Sequence, residues 1–243
     1  SNAHMDATFI TIDGTGEEVR YNAGVRIRGA GSRGSTPPNN RVRIPNDRPW
    51  KGLTAINLNS QYTHAQLAGG TLAALSRLPV ATVRAIQYRI NGVNPANSGS
   101  PQYGSFVCLE PINGEWAAHH FPEDGGGNVY RGSRAPWTAN LSYRGTNYLT
   151  YANEGYFKAS NASANDWTDL IQLTYALSTN TPDAAYVQTI RTYLDVEEVL
   201  RYYAVCSLME YSETALATGV GDDYAIYRGM IDPRFRFLFH DSD

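Results

Sequence analysis

The stretch at positions 24–44, GVRIRGAGSRGSTPPNNRVRI, decides how the chain is interpreted. It contains the spacing G-x-G-x-x-G, which in dinucleotide-binding folds lies between a strand and the start of a helix. Here apolar and polar residues alternate on both sides, with the two-residue period of a β-strand. The stretch therefore predicts two strands joined by a long glycine loop, and a Rossmann interpretation fails. A strand–glycine loop–strand covers the phosphates in protein kinases, but a plain long hairpin has the same pattern, so both interpretations stay open.

Length and composition limit the class of protein. With 243 residues, 42% of them hydrophobic and 18% charged, the chain is long and apolar enough for a sizeable core. A net charge of -3 gives no electrostatic basis for binding nucleic acid. No apolar run approaches the roughly 18 residues of a membrane span. The start, SNAHM, is interpreted as a cloning remnant at positions 1–5. Abundant Tyr, Asn, Thr and Gly favour an exported or cell-surface protein.

The order of the predicted elements indicates an α+β fold. Strand patterns dominate from about position 6 to 160, and helical patterns dominate from 161 to 243 before a final hairpin. Thr181 is predicted as the N-cap of one helix, with a proline at its first position. Asp195 and Glu198 have the spacing of a capping box for the next helix.

Cysteine and histidine give weaker signals. Cys108 and Cys206 both lie in apolar sequence, which predicts buried free thiols rather than a disulfide. His119, His120 and His240 lack the spacing of a transition-metal site, and we expect ordinary surface or core histidines.

The end of the chain, FRFLFHDSD, combines a strand pattern with paired acids. Asp241 and Asp243 are two residues apart, so both carboxylates project to the same side if the extended path continues. Clustered carboxylates suit Mg²⁺, which prefers oxygen ligands and often completes its shell with substrate phosphates. A solvated acidic turn is the alternative interpretation.

Two further acids precede the final hairpin. Glu213 follows the third predicted helix of the C-terminal half, and Asp223 starts the hairpin strand that leads back to Asp241. Protein kinases place their base and metal ligand in comparable positions. The alternatives are a hairpin turn for Asp222 and Asp223, and a surface charge at the helix C-terminus for the nearby Glu210.

With these residues in view, the chain resembles the spore coat protein H (CotH) kinase family. The resemblance rests on stretches that occur in the family's order: GVRIRGAGSR, PPNNRVRI, KGLTAINLNSQY, YRINGV, YGSFVCLEPIN, GGNVYRG and FLFHDSD. It implies a protein-kinase-like α+β fold in one domain over positions 6–243, which we expect to continue beyond Asp243. It also implies ATP and Mg²⁺ or Mn²⁺ as cofactors.

The resemblance implies roles for individual carboxylates. Asp241 and Asp243 fall on the paired aspartates that hold the metal ion, with Asp241 also counted as catalytic. Glu213 falls near the family's catalytic base, and Asp223 near its second metal ligand. Glu110 falls on a glutamate that supports the nucleotide pocket.

The resemblance also carries departures from the family pattern. The family's lysines are replaced by Asn39 and Asn40, and its tryptophan before the first aspartate by His240. Guanidinium groups bind phosphate bidentately, so arginines are the expected nucleotide ligands. These arginines are Arg28, Arg41, Arg43 and Arg131.

Two functions follow as expectations. The first is phosphoryl transfer from a nucleotide to a protein hydroxyl with Mg²⁺. The alternative is a non-catalytic, pseudokinase-like surface module that binds glycans or proteins, which the missing lysines favour. An aromatic run over 137–156 could stack on sugars, but such residues more often fill a core or a seam between subdomains. Whether the protein is an enzyme stays open.

Overall fold

The structure of the protein, a computed structural model, describes residues 2–29, 31–96, 105–132, 135–211, 213–220 and 222–241. The chain divides into two compact units. The first comprises positions 1–67 and 82–111, and the second comprises positions 68–81 and 112–243. Helix α1 (Thr63–Leu75) contains the first boundary between them.

The first unit is built on a six-stranded antiparallel sheet with strand order β1-β2-β3-β4-β6-β5. Its strands are β1 (Met5–Asp13), β2 (Gly16–Ile27), β3 (Asn40–Arg43), β4 (Ala55–Asn59), β5 (Val83–Gln87) and β6 (Ser105–Leu109). One face packs on a core that includes Val42, Trp50 and Phe106. β1 begins at Met5, inside the segment interpreted as a cloning remnant, and Met5 pairs with Val25.

The glycine loop joins β2 to β3, as the sequence predicts. It contains one 3-10 turn, Gly31–Gly34. Gly29 has φ +115°, and a Cβ placed there would lie 2.5 Å from Ser32 Oγ. Only glycine adopts this conformation without strain, so Gly29 serves the turn itself.

The second unit contains a four-stranded antiparallel sheet of order β10-β9-β7-β8. Its strands are β7 (Asn128–Gly132), β8 (Tyr156–Lys158), β9 (Tyr224–Arg228) and β10 (Phe235–Phe239). Its helices are α2 (Gly114–His120), α3 (Tyr148–Asn153), α4 (Thr168–Leu177), α5 (Asp183–Tyr193), α6 (Val196–Leu208) and α7 (Ala215–Thr218). The aromatic run that was considered for sugar stacking is largely core, because Tyr151 and Tyr156 are buried.

The two helix starts predicted from capping residues have different outcomes. Asp195 caps α6 as predicted, since its Oδ1 accepts a hydrogen bond from the Glu198 amide at 3.1 Å. The predicted N-cap role of Thr181 is wrong. α5 is preceded by Pro182, and the Thr181 hydroxyl instead donates to the Ala176 carbonyl at 2.9 Å. Thr181 therefore ties down the end of α4.

The α+β class is confirmed, with a strand-rich N-terminal part and several helices after it. The final hairpin is confirmed as β9 and β10. Both cysteines are buried free thiols, as expected. Within the described ranges, each helix is too short or too polar to cross a lipid bilayer.

Candidate functional site

Three strands of the second sheet end at one edge, and their ends carry the charged residues. The last ladder pair of the hairpin is Phe239 with Tyr224, and β7 ends opposite the same tyrosine, at Gly132. The next residues beyond this edge are Asp223 at the start of β9 and His240 and Asp241 after β10. Antiparallel pairing therefore brings together residues that are far apart in the sequence.

At this edge Asp223, His240 and Asp241 each carry an atom of a type that can bind metal, and these atoms all lie within 4.8 Å of one another. All three residues are partly buried. Asp223 has φ +45° and Asp241 has φ +53°, so both leave the extended conformation of their strands. The left-handed region is unfavourable for residues with a Cβ, although aspartate tolerates it better than most.

The extended path on which the prediction for Asp241 and Asp243 depends does not continue through Asp241, because Asp241 has a positive φ. An extended path would have placed Asp241 and Asp243 on one side, but β10 ends at Phe239 and the backbone turns at Asp241. Asp243 lies outside the described residues. The partner that the structure places beside Asp241 is Asp223, from the opposite strand.

Arg131 on β7 brings a positive charge to the same edge. Its Nη2 lies 2.8 Å from Nε2 of His240. A guanidinium has only hydrogen-bond donors, so Nε2 accepts and the imidazole proton is on Nδ1. The Arg131 Nε atom is buried and makes no hydrogen bond within the described residues. The side chain therefore keeps an unused donor.

The charged groups at this edge shift one another's pKa values. Burial lowers the pKa of the Arg131 guanidinium, and the carboxylates of Asp241, Asp223 and Asp222 oppose this shift. Burial also raises the pKa of Asp222, and so does the charge of Asp241, while a hydrogen bond with Asp223 and the charge of Arg131 act against the rise. The acids at this edge thus repel one another and favour a bound cation.

The donor set fits Mg²⁺ bound with phosphate. With Nε2 accepting from Arg131 and Nδ1 protonated, His240 presents no lone pair to a metal ion in this arrangement. Asp223 and Asp241 remain as oxygen ligands, which a hard cation such as Mg²⁺ prefers. Arg131 lies beside them and suits a phosphate oxygen.

The comparisons with known proteins bear on this site. The model of one family, described as CotH kinase protein, matches residues 25–243. The chain belongs to the CotH kinase family. No curated protein matches the chain. The family match spans both units and includes every residue predicted for the site, so the resemblance recognised in the sequence is confirmed.

The other CotH site residue predicted in the second unit, Glu213, follows α6 and is not one of the three grouped residues. It is exposed. Its neighbour Thr214 forms a β-bridge with Asp222, which holds this segment beside the start of β9.

The arginines predicted in the first unit share one face of its sheet. Arg41 lies between Arg26 and Asn57 in the register, and its Nη1 donates to Asn57 Oδ1 at 3.3 Å. Arg28 donates to Asn59 Oδ1. Arg43 is two residues from Arg41 on the same strand and is exposed. This face is therefore basic and rich in asparagine, opposite the face that packs on the core.

Glu110 is buried in the first unit with a backbone partner. Its Oε2 accepts from the Thr82 amide at 3.1 Å, and its own amide donates to the Thr82 carbonyl at 3.0 Å. The two contacts fix the end of β6 against the segment before β5. The structure describes Arg28, Arg41, Arg43 and Glu110 in a different unit from the acidic edge.

Asn39, at a position where the CotH family has lysine, holds the loops of the first unit together. Its Oδ1 accepts from the Ser60 amide at 2.7 Å and the Ser60 hydroxyl at 3.0 Å. Its Nδ2 donates to Ser32 Oγ at 3.2 Å. The side chain is 3% exposed. Asn39 therefore connects the glycine loop to the end of β4, and it carries no charge.

One residue of the site, Tyr211, has no signal in the sequence. Its hydroxyl donates to the carbonyls of Asp223 and His240, the latter at 2.8 Å. It is one of 17 tyrosines. Only the fold distinguishes it, because the end of α6 happens to meet the edge of the sheet.

Proposed function

We propose that this protein is a kinase-like phosphotransferase that moves a phosphoryl group from ATP to a protein hydroxyl. The observation that carries the proposal is the meeting of Asp223, Asp241 and Arg131 at one edge of the second sheet. Membership in the CotH kinase family supports the same conclusion and supports a protein-kinase-like version of the α+β fold.

In this proposal Asp223 and Asp241 hold Mg²⁺, and Asp243 is a third expected ligand. The ion, when bound, would neutralise charge on the phosphate oxygens. Arg131 would use its unused Nε donor on a phosphate oxygen, a stronger contact than a neutral hydrogen bond because both partners are charged. Arg28, Arg41, Arg43 and Glu110 are the residues proposed for the remainder of the nucleotide site.

The chemistry asked of the chain is mostly positioning and stabilisation of charge. The substrate hydroxyl loses its proton, its oxygen bonds to the γ-phosphorus, and the bond to the bridging oxygen breaks to release ADP. Glu213 is the proposed acceptor of the proton. Its exposure supports this role, because an exposed carboxylate is accessible to a protein substrate.

A transfer assay tests this function. The protein is incubated with γ-labelled ATP and Mg²⁺, with the chain itself and dephosphorylated casein as acceptors. We expect label on protein hydroxyls that disappears with Asp241→Asn. Arg131→Gln should also reduce it strongly, whereas Arg228→Gln, a matched change on β9 of the same sheet, should not. Equal labelling by the wild type and Asp241→Asn would refute the proposal.

The second candidate function is a non-catalytic binding module for glycan or protein partners. Asn39 favours it, because a neutral side chain committed to three hydrogen bonds stands where the family has lysine. In this case nucleotide and metal have no effect on the protein, and an array of glycans reports binding instead. Export or attachment to the cell surface is proposed with either function.

A further inference from the structure

We propose that Tyr211 is a positioning residue that sets the distance between the two carboxylates of the metal site. The inference rests on the proposed function, since it assigns the device that holds Asp223 and Asp241 in place. The sequence patterns and the family resemblance assign no role to this tyrosine.

The backbone at the acidic edge needs a support beyond the β-ladder. Pairing between β9 and β10 stops at Tyr224 and Phe239, so the two segments beyond this pair are not joined to each other by the ladder. The β-bridge to Thr214 holds only the segment before β9. Asp223 and Asp241 both have positive φ, which costs about 1 kcal/mol or more for a residue with a Cβ. Such conformations persist only where surrounding contacts fix them.

Tyr211 supplies that contact to both chain segments at once. Its single hydroxyl proton is shared between the carbonyl of Asp223 and the carbonyl of His240, the residue before Asp241. The phenol therefore connects the two segments just beyond the last ladder pair.

The position of Tyr211 is itself rigid. The side chain is 6% exposed, and its ring lies 5.3 Å from that of Phe239. Its amide donates to the Cys206 carbonyl at 2.9 Å, which anchors the residue to the end of α6.

Removing a residue that orients metal ligands without binding the metal itself typically weakens metal affinity about 10–100-fold. Tyr211→Phe keeps the ring and its packing on Phe239 but removes the donor. We therefore expect it to weaken metal binding by a factor in that range while the fold is retained.

The test is direct Mn²⁺ binding, followed by the loss of the free-ion signal in electron paramagnetic resonance. The variants are Tyr211→Phe, Asp241→Asn and a matched control, Tyr203→Phe, which also loses a phenol-to-carbonyl bond, to Leu216 at 2.9 Å. We expect weaker Mn²⁺ binding with Tyr211→Phe and unchanged binding with Tyr203→Phe. Circular dichroism confirms that each variant is folded.

A donor-restoring variant separates positioning from packing. Replacing Tyr211 with 4-aminophenylalanine puts N–H groups where the hydroxyl was, and we expect Mn²⁺ affinity to recover. If the phenylalanine variant folds poorly, the Mn²⁺ affinity of the 4-aminophenylalanine protein still tests the role of Tyr211, because this protein should bind Mn²⁺ like the wild type.

The outcomes distinguish the inference from the proposed function. Wild-type Mn²⁺ affinity in Tyr211→Phe, together with loss of binding in Asp241→Asn, overturns the role of Tyr211 and leaves the metal site standing. Binding that is unchanged by Asp241→Asn overturns the metal site, and the inference with it.

Discussion

The buried ion pair between Glu198 and Arg236 gives the sharpest prediction about stability. Glu198 lies on α6 with a fully buried side chain, and its Oε2 accepts from Arg236 Nε at 2.8 Å and also from Nη2. Its Oε1 is buried without a hydrogen bond in the described part of the chain. Arg236, on β10, also lies over the ring of Phe121 at 5.0 Å.

The predicted perturbation is Arg236→Met, which keeps apolar contact with Phe121 and removes the charge. Glu198 would then be an unpaired buried carboxylate, for which the expected cost is about 3–5 kcal/mol. At about 2–4 °C per kcal/mol for a protein of this size, the unfolding midpoint should fall by about 6–20 °C.

The pH dependence follows from the direction of the pKa shift. Burial raises the pKa of Glu198, and the hydrogen bonds and charge of Arg236 oppose that rise. Without Arg236 the folded state binds a proton more tightly than the unfolded state, so folding is favoured by acid. Because the unfolded glutamate titrates alike in both proteins, the loss of stability in the variant should be small in acid and grow once the pH rises above the wild-type pKa of Glu198, which itself lies above the ordinary glutamate value.

Thermal and urea unfolding of three variants test this reasoning. Arg234→Met is the matched control, since Arg234 pairs with Asp232 at 2.8 Å but is 42% exposed. Surface pairs contribute about 1 kcal/mol or less, so this variant should lose under about 4 °C. Glu198→Leu combined with Arg236→Met should recover most of the loss. Two results would refute the predicted cost of the unpaired carboxylate. One is an Arg236→Met variant that is as stable as Arg234→Met, and the other is a double variant that is no more stable than Arg236→Met alone.

The remaining predictions concern a helix cap, a turn and the thiols. Asp195→Ala removes the cap of α6 and should cost about 1 kcal/mol in urea unfolding, whereas an effect near zero would contradict the cap. Desolvation raises the pKa of Asp124, but hydrogen bonds from the backbone amides of Asp232, Ile231 and Met230 outweigh it and lower the pKa overall. The stability that Asp124→Ala loses at neutral pH should therefore disappear progressively as the pH falls from about 4 through this lowered pKa, and a constant difference across pH would contradict this. Burial raises the pKa of Cys206 to about 11 and that of Cys108 to about 12. A disulfide reagent should therefore label both thiols slowly until the protein is unfolded, and rapid labelling of the native protein would contradict their burial.

Local patterns in the sequence predict much of the fold. The two-residue period of β2 and β3, the final hairpin and the Asp195 cap depend on neighbours within a few positions, and the structure has all three. Thr181 shows the limit of such reasoning, because its hydroxyl could either accept from an amide at the start of α5 or donate to a carbonyl at the end of α4. The structure has the second contact, to the Ala176 carbonyl.

The site is less predictable because it is assembled by strand pairing. Local spacing suggests Asp241 with Asp243, which lies outside the described residues, whereas Asp223 is placed with Asp241 only by the family resemblance. The structure brings Asp223 beside Asp241 from the opposite strand. The bond between Arg131 and His240 joins positions 109 residues apart. Pairings of this kind depend on the register of a whole sheet, which no single motif contains.

The central claim is that Asp223 and Asp241 bind a metal–nucleotide complex, and thermal unfolding tests it most directly. The protein is heated with ATP, with and without Mg²⁺ or Mn²⁺, beside Asp223→Asn and Asp241→Asn. At a ligand concentration of about 100 times Kd, stabilisation is about 2.7 kcal/mol, or about 5–10 °C. The account predicts a rise of this size that requires the metal ion and is lost in both variants. No rise with any nucleotide, or an equal rise in the variants, would contradict it.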